Sequence, residues 1–484
     1  MVDFVHSVWS LIPFGLMLLI IAVAPLIVAE WWDSNRHKLA VIILLVIPTV
    51  VILVMGGMSQ ELEHQILGDY IPFVVLLTSL YVITGGIHLS GDIKAKPWVN
   101  TLFLAIGWLL ASFMGTTGAA MLMIRPLLTT NQQRVHKVHT ILFFIALVAN
   151  CGGLLTPLGD PPLFMLFLRG ADFAWFMTLF PQWLFVGAVL LLLYFVADSY
   201  FYKKEHWTSL SADAREHQPL KIQGKTNLFF LAGVIFAVVI IHPGYIPEIA
   251  NPDAHLWVKY LREIVLVILT LMSFHSTKPY VRYELNKYSW SPIIEVAVLF
   301  LGIFVTMTPA LGYLSTHAET LGLTKVWHFY YTTGALSSFL DNTPTAVAFH
   351  SVAAGLSPDQ IMTFGSDMVA GIPEMLLKAI CLGAVFFGSM TYIGNGPNFM
   401  VKAIAEENGV KMPSFFGYIF KFSLIVLPAG PGRWNLVPGL RQDVQKLRGG
   451  GGGPQEGGKA CSEAQNHDQE KDHHHGGQRK CVNW

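Results

Sequence analysis

The chain has 484 residues, of which 53% are hydrophobic and 13% are charged, whereas soluble globular domains carry roughly 25% charged residues. So few charges argue against a cytosolic enzyme, a disordered chain and a nucleic-acid-binding protein, because they cannot cover a water-exposed surface. The 31 basic and 31 acidic residues cancel, so only the distribution of charge along the chain is informative.

Apolar stretches of membrane-spanning length recur along the chain. A helix needs about 20 residues to cross roughly 30 Å of hydrocarbon. We therefore predict an all-α polytopic membrane protein with about ten transmembrane helices. The predicted spans are 8–29, 38–57, 71–90, 138–170, 180–202, 227–242, 257–275, 289–310, 374–402 and 414–428.

Two further apolar segments, 98–128 and 328–355, are interrupted in the middle by small and polar residues. We interpret each as a re-entrant hairpin that enters and leaves the membrane on one side, buried in protein or lining a wet cavity. With this interpretation, 18 of the 23 basic residues before position 431 lie on one side, which the positive-inside rule makes cytoplasmic. The N-terminus is then predicted outside a bacterial inner membrane. The alternative, two ordinary spans per segment, scrambles the charge segregation.

The two halves of the chain resemble each other at their interruptions. Residues 112–120 (SFMGTTGAA) align with 338–346 (SFLDNTPTA), and residues 156–165 (TPLGDPPLFM) align with 391–400 (TYIGNGPNFM). Each half then contains three spans, a hairpin, a span broken by Gly and Pro, and one more span. An odd number of crossings inverts the second half, which is the plan of secondary transporters.

This pairing predicts the domain organisation. The first inverted repeat covers 1–202, with hairpin 98–128 and broken helix 138–170. A cytoplasmic linker at 203–226 follows. The second repeat covers 227–430, with hairpin 328–355 and broken helix 374–402.

Polar residues at the breaks and hairpin tips form the predicted site. Pro and Gly should unwind the helices at 156–162 and 391–397, which frees carbonyl oxygens for a cation and points helix N-termini at the gap. Neutral hydroxyl and amide oxygens suit a hard ion such as Na⁺. The predicted binding residues are Asp341, Asn342, Thr343, Thr116, Thr117, Asp160, Thr156, Gly159, Asn395 and Asn398, with sodium at Asp341, Asn342, Asp160 and Asn395.

Two carboxylates, Asp160 and Asp341, lie at these interruptions. An ionised Asp at helix depth costs about 2.5–3.5 kcal/mol on insertion scales, so it needs a partner or a function. Desolvation favours the protonated carboxyl, and Na⁺ and H⁺ can then compete for one site. Alternatively, both residues cap the half-helices that follow. Elsewhere, Glu374 and Lys378 are expected to form a local ion pair, and Glu295 to lie in a first helical turn or on a proton route.

At these residues the sequence resembles the ion transporter superfamily, and within it the NhaD-type sodium/proton antiporters and their citrate-transporter relatives, over roughly residues 8–428. Members often carry Ser-Asn-Thr at the hairpin tips. Here residues 341–343 read Asp-Asn-Thr and residues 115–117 read Gly-Thr-Thr, while Thr156-Pro157 and residues 394–398 match the helix breaks. In this superfamily, dicarboxylate carriers bind Na⁺ and the substrate carboxylates at these positions. The resemblance also implies a homodimer that works by an elevator-like movement.

The departures at both tips favour cation/proton antiport. The first tip lacks Ser and Asn ligands, and Asp341 at the second tip places negative charge beside an anionic substrate. We expect a secondary transporter that exchanges Na⁺ or Li⁺ for H⁺ through Asp341, with Asp160 as an additional candidate carrier. We expect no cofactor, and the bilayer and a small inorganic cation as its partners. The alternative is a sodium- or proton-coupled carrier of citrate, a dicarboxylate or an oxyanion. The sequence contains neither an HExxH nor a Gly-x-Ser-x-Gly motif, either of which would indicate an enzyme.

The chain changes character after residue 430. Residues 431–484 are Gly-rich, with five glycines at 449–453 and three histidines at 473–475. Such a segment cannot bury a core, and we predict that it is disordered. One hypothesis is a frame change or assembly error near Ala429 that replaced the end of the last helix; the alternative is a genuine extension.

Overall fold

The computed structural model describes residues 7–215, 218–251 and 253–427. The predicted tail 431–484 and the last residues of the second repeat lie outside this range. Helices dominate the described residues, and the protein is an all-α polytopic membrane protein. Seven helical stretches in this part of the chain are long and apolar enough to cross a membrane: Val8–Pro25, Asn35–Met55, Ser59–Thr84, Pro97–Met114, Val138–Leu155, Phe173–Tyr202 and Ser291–Thr316.

The first half of the chain contains eleven α-helices and four short helical segments of other types among its described residues. The α-helices are α1 (Ile12–Ile27), α2 (Ala29–Trp32), α3 (Asn35–Met55), α4 (Ser59–Glu63), α5 (Ile71–Thr84), α6 (Pro97–Met114), α7 (Thr116–Thr130), α8 (Val138–Leu147), α9 (Pro161–Leu168), α10 (Phe173–Phe176) and α11 (Phe180–Tyr202). A π-helix lies at His64–Tyr70, and 3₁₀ segments lie at Val8–Leu11, Cys151–Leu155 and Met177–Leu179.

The second half continues the helical pattern. Its α-helices are α12 (Trp207–Arg215), α13 (Thr226–Ile240), α14 (Leu256–Lys259), α15 (Leu261–Ser276), α16 (Ser291–Thr316), α17 (Val326–Ser337), α18 (Asn342–Ala354), α19 (Pro358–Met362), α20 (Glu374–Phe387), α21 (Gly396–Glu407), α22 (Phe415–Tyr418) and α23 (Leu424–Val426). Segments of 3₁₀-helix lie at Pro247–Ala250, Ala318–Leu321 and Gly388–Met390, and π-helices lie at Tyr280–Leu285 and Ile419–Ser423.

Two small antiparallel pairs of strands connect helices. Strand β1 (His88–Asp92) pairs with β2 (Gln218–Gln223), with His88 opposite Gln223. Strand β3 (Met368–Val369) pairs with β4 (Ile372–Pro373). The predicted linker 203–226 therefore carries α12 and β2, and β2 joins it to the segment that follows α5.

Both predicted hairpins have two helical arms and a sharp tip. The arms of the first are α6 and α7, and Gly115 between them has φ +78°, a backbone conformation that glycine adopts without a Cβ penalty. The arms of the second are α17 and α18, and Asp341 caps the second arm through a hydrogen bond from the backbone N–H of Thr343.

Both predicted helix breaks have the same local backbone. Each follows a 3₁₀ segment and begins at an extended threonine, Thr156 (φ −141°, ψ 157°) or Thr391 (φ −137°, ψ 167°). Each ends at an extended N-cap residue, Asp160 (φ −143°, ψ 139°) or Asn395 (φ −153°, ψ 138°). The residues aligned from sequence thus have matching conformations, while the opposite orientation of the two halves stays a prediction.

The two halves interlock. Helix α7 of the first hairpin packs on α21, the half-helix after the second break, and α18 of the second hairpin packs on α9, the half-helix after the first break. Each hairpin therefore contacts the broken helix of the other half, which brings both tips and both breaks to one place.

Two charged residues outside this region have partners. Lys378 Nζ lies 3.0 Å from Glu374 Oε1, an i,i+4 pair as expected. Glu295 lies beyond the first turn of α16, not within it, and its Oε1 is 2.6 Å from Nζ of Lys38 on α3. An ion pair across two packed helices therefore accounts for Glu295.

Candidate functional site

The hairpin tips and helix breaks meet at one buried carboxylate, Asp160. Its Oδ1 accepts hydrogen bonds from Thr116 Oγ1 at 3.0 Å and from Asn395 Nδ2 at 3.1 Å, and its Oδ2 accepts one from Asn342 Nδ2 at 2.6 Å. All four side chains are at most 2% exposed. We refer to Asp160, Thr116, Asn342 and Asn395 as the carboxylate cluster.

Each member of the carboxylate cluster lies at a helix N-terminus. Thr116 and Asn342 are the first residues of α7 and α18, while Asp160 and Asn395 are the N-caps of α9 and α21. Helix N-termini carry partial positive charge and favour a negative group. The four converging ends and the three hydrogen bonds compensate part of the charge of an ionised Asp160, and no described Lys, Arg or His forms an ion pair with it.

Asp341 has a different environment from Asp160. It is half-buried, its Oδ1 accepts a hydrogen bond from Thr343 N at 2.9 Å, and its backbone carbonyl accepts one from Thr345 Oγ1 at 2.9 Å. These bonds cap α18. The side chain of Asp160 makes no such cap and contacts the other half instead. The structure therefore places Asp160 at the centre of the site and Asp341 beside it.

Three predicted site residues hold the breaks in shape. Thr156 donates its hydroxyl hydrogen to the carbonyl oxygen of Ser112, which ties the first break to the first hairpin. Gly159 accepts a hydrogen bond from the backbone N–H of Thr116 at 2.8 Å. Asn398 donates from Nδ2 to the carbonyl oxygens of Gly388 at 2.8 Å and Thr391 at 2.9 Å, which spans the second break.

The remaining two predicted residues lie at the edges of the carboxylate cluster. Thr343 donates from Oγ1 to Asn342 Oδ1 at 3.4 Å. Thr117 is half-buried, and the structure shows no side-chain hydrogen bond from it to another described residue. Thr117 lines a cavity instead.

The cavity lies beside the first hairpin tip. Its volume is about 80 Å³, which is room for several water molecules. It is bounded by the first tip, the first break, α5 and the start of α16. The lining residues are Leu77, Leu80, Tyr81, Met114, Gly115, Thr116, Thr117, Gly118, Leu158, Gly159, Pro161, Pro292, Ile293 and Val296. Thr116 therefore borders both this cavity and the carboxylate cluster.

Sequence reasoning missed Asn150, which contacts two predicted site residues. Its Nδ2 donates to Asn398 Oδ1 at 2.7 Å, and its Oδ1 accepts from Asn395 Nδ2 at 3.2 Å. One feature of the sequence could have pointed to Asn150: it is the single polar residue in the otherwise apolar run 141–151. Its partners lie 248 and 245 residues away in sequence, so no local pattern reveals them.

A buried ionic network away from the carboxylate cluster was also missed. Arg134 Nη2 lies 2.7 Å from Asp198 Oδ1, and His139 Nε2 lies 2.8 Å from the same oxygen. Asn100 Nδ2 donates to Asp198 Oδ2 at 3.2 Å. This network joins the segment after the first hairpin to the end of α11.

Residues 4–429 match the family described as "Putative citrate transport". "Inner membrane protein YbiR" of Escherichia coli is 29% identical over 132 residues, which cover 25% of this chain and 35% of that protein. "Uncharacterized transporter slr0753" of Synechocystis is 25% identical over 305 residues, which cover 59% of this chain and 65% of that protein. The chain thus matches less than two thirds of the length of either relative.

Proposed function

The chain belongs to the family described as "Putative citrate transport", and from this premise we propose that it exchanges Na⁺ or Li⁺ for H⁺ at the carboxylate cluster. It is a multi-pass membrane protein and a secondary transporter rather than an enzyme. The observation that carries the proposal is Asp160, a single buried carboxylate that joins both tips and both breaks through three hydrogen bonds.

A buried carboxylate without a basic partner needs another source of positive charge. Removing an ion from water is costly unless it is paired, and a proton or a bound Na⁺ neutralises Asp160 equally well in net charge. Either species alone therefore lowers the cost of moving the site through an apolar environment. The empty, ionised site is the state least able to cross the membrane. Because the site crosses with either H⁺ or Na⁺ bound, the movements of the two ions are coupled, as exchange requires.

The neighbouring amides can serve both forms of the site. Asn342 and Asn395 donate from Nδ2 to Asp160, which stabilises the ionised carboxylate. Rotation of the Asn342 amide presents its carbonyl oxygen instead, and oxygen is the ligand that hard cations prefer. The proposed sodium site combines this oxygen with the carboxylate of Asp160, Oδ1 of Asn395, a side-chain oxygen of Asp341 and the threonine hydroxyls.

A carrier of citrate or another carboxylate is the second candidate. The family description favours it, and four converging helix N-termini suit an anion. In that case an ionised Asp160 would repel the substrate, so Asp160→Asn should preserve or strengthen anion uptake. Antiport predicts instead that Asp160→Asn abolishes Na⁺/H⁺ exchange.

The test uses everted membrane vesicles that contain the full chain and a dye quenched by an acidic interior. Adding NaCl or LiCl, but not choline chloride, should dequench the dye at neutral to alkaline pH, and Asp160→Asn should abolish the response. Asp172→Asn, at an exposed carboxylate, is the matched control and should respond as the wild type does. Absence of a Na⁺ or Li⁺ response, with labelled citrate uptake that survives Asp160→Asn, would establish the second candidate.

We also propose a bacterial inner membrane as the location and a homodimer as the assembly. The name "Inner membrane protein YbiR" of the Escherichia coli relative supports the location. The family resemblance supports the dimer.

A further inference from the structure

We propose that Asn150 is a positioning residue that orients the amide of Asn395 and thereby sets the affinity of the site for its cation. This inference rests on the function proposed above. It adds a residue that lies outside both aligned interruptions and touches Asp160 only through Asn395.

Asn150 is held in one orientation by its own hydrogen bonds. It is fully buried, in an irregular backbone conformation (φ −140°, ψ −83°) between α8 and the 3₁₀ segment. Its Nδ2 donates to Ile145 O at 2.8 Å and to Asn398 Oδ1 at 2.7 Å. Both N–H groups of the amide are therefore used, and its Oδ1 is left to face Asn395.

The far end of this chain of bonds is also fixed. Asn398 uses its Nδ2 to bind the carbonyl oxygens of Gly388 and Thr391, so its Oδ1 is directed at Asn150. The backbone of the second break thus determines the orientation of Asn398, and Asn398 determines that of Asn150.

Asn395 is the residue on which this orientation acts. Its Nδ2 lies near three acceptors: Ala149 O at 3.1 Å, Asn150 Oδ1 at 3.2 Å and Asp160 Oδ1 at 3.1 Å. Two N–H groups cannot serve three acceptors at once. When Asp160 is neutralised, Ala149 and Asn150 hold the nitrogen of Asn395. The Oδ1 of Asn395 accepts no hydrogen bond from the described residues, so it is then available to a cation.

The experiment measures the apparent Kd of the purified full chain for Na⁺, from the rise in melting temperature on titration with NaCl against choline chloride. Asn150→Leu should raise this Kd roughly tenfold, the effect of losing about one hydrogen bond. Asn227→Leu is the matched control, because Asn227 is equally buried and bonds to Gly86 O and Thr277 Oγ1 far from the cluster. It should lower the melting temperature without changing the Kd.

A double-mutant cycle separates positioning from a general structural role. If Asn150 acts through Asn395, Asn150→Leu should raise the Kd in the wild type and have no further effect in an Asn395→Ala background. If Asn150→Leu does not yield folded protein, Asn150→Ser provides the same comparison with a smaller polar side chain.

The outcomes distinguish the two proposals. A wild type that shows no Na⁺-driven proton movement in vesicles overturns the proposed function, and this inference with it. An active wild type whose Kd is unchanged by Asn150→Leu and Asn150→Ser, or whose double mutant shows the product of both single effects, overturns only the positioning role.

Discussion

Two aspartates that look equivalent in the sequence have different neighbours. Each precedes a half-helix and each is followed within three residues by proline. Asp160 bonds to Asn342 and Asn395, which lie 182 and 235 residues away, whereas Asp341 bonds to Thr343, two residues away. A local pattern predicts a cap equally well for both, so only the tertiary structure shows which carboxylate joins the halves.

This difference predicts that Asp341→Asn is tolerated. Asparagine caps a helix about as well as aspartate does, so the bond from Thr343 N is kept. We expect exchange in vesicles within about threefold of the wild type, a loss smaller than that of one hydrogen bond. Asp341→Leu, which removes the cap, is the companion variant and should lower the melting temperature. Complete loss of exchange in a folded Asp341→Asn protein would show that Asp341 itself carries the ion.

The positions of the hairpin tips and helix breaks are largely predictable from the sequence, whereas the residues that they contact are not. The hairpins predicted at 98–128 and 328–355 have helical arms at Pro97–Thr130 and Val326–Ala354, because Gly, Pro and N-capping residues act on the backbone next to them. The predicted spans 227–242 and 414–428 correspond to shorter helices, Thr226–Ile240 and Phe415–Val426.

The first helix break depends on close backbone contact at Gly159. A Cβ atom there would lie 2.0 Å from the carbonyl oxygen of Gly153, and neither backbone segment can move without altering the break. We expect Gly159→Ala to abolish exchange or to prevent recovery of monodisperse protein by size-exclusion chromatography. Gly396→Ala is the control, since nothing lies within 4 Å of that Cβ position. Equal recovery and activity of both variants would contradict the tight contact.

The ionic network after the first hairpin predicts a stability effect. Removing one partner of a buried ion pair costs about 3–5 kcal/mol, and Arg134→Ala leaves Asp198 buried without its guanidinium. We expect a clear fall in the melting temperature of the purified protein. Arg125→Ala should change it little, because Arg125 is half-buried and pairs with no acidic group in the described part of the chain. Similar melting temperatures for the two variants would argue against the network as a structural tie.

The carboxylate cluster forms only where the two halves of the chain interlock. Within the span Val138–Leu155, which precedes Asp160, 89% of residues are buried, compared with 22% in Val8–Pro25 and in the most apolar 18 residues of Asn35–Met55. The first helices therefore face outward, and the broken helices form the interior. Hydropathy identifies all of these segments as apolar, but it does not distinguish a lipid-facing helix from a central one.

The distribution of basic residues predicts the orientation of the molecule in the membrane. In a chain whose four cysteines are replaced by serine, Lys204→Cys should react with a membrane-impermeant maleimide only from the cytoplasmic side. Glu248→Cys should react only from the outside. Both positions are exposed, so accessibility depends on the side alone. Labelling of both from the same side would overturn the predicted topology.

In the proposed exchange, a cation and a proton compete for Asp160. The most direct measurement is proton release by the purified full chain in weakly buffered detergent solution when NaCl is added. We expect the wild type to acidify the solution in a saturable manner that choline chloride does not reproduce, and Asp160→Asn to release no protons. Saturable Na⁺ binding without proton release by the wild type, or undiminished release by Asp160→Asn, would contradict competition between Na⁺ and H⁺ at Asp160.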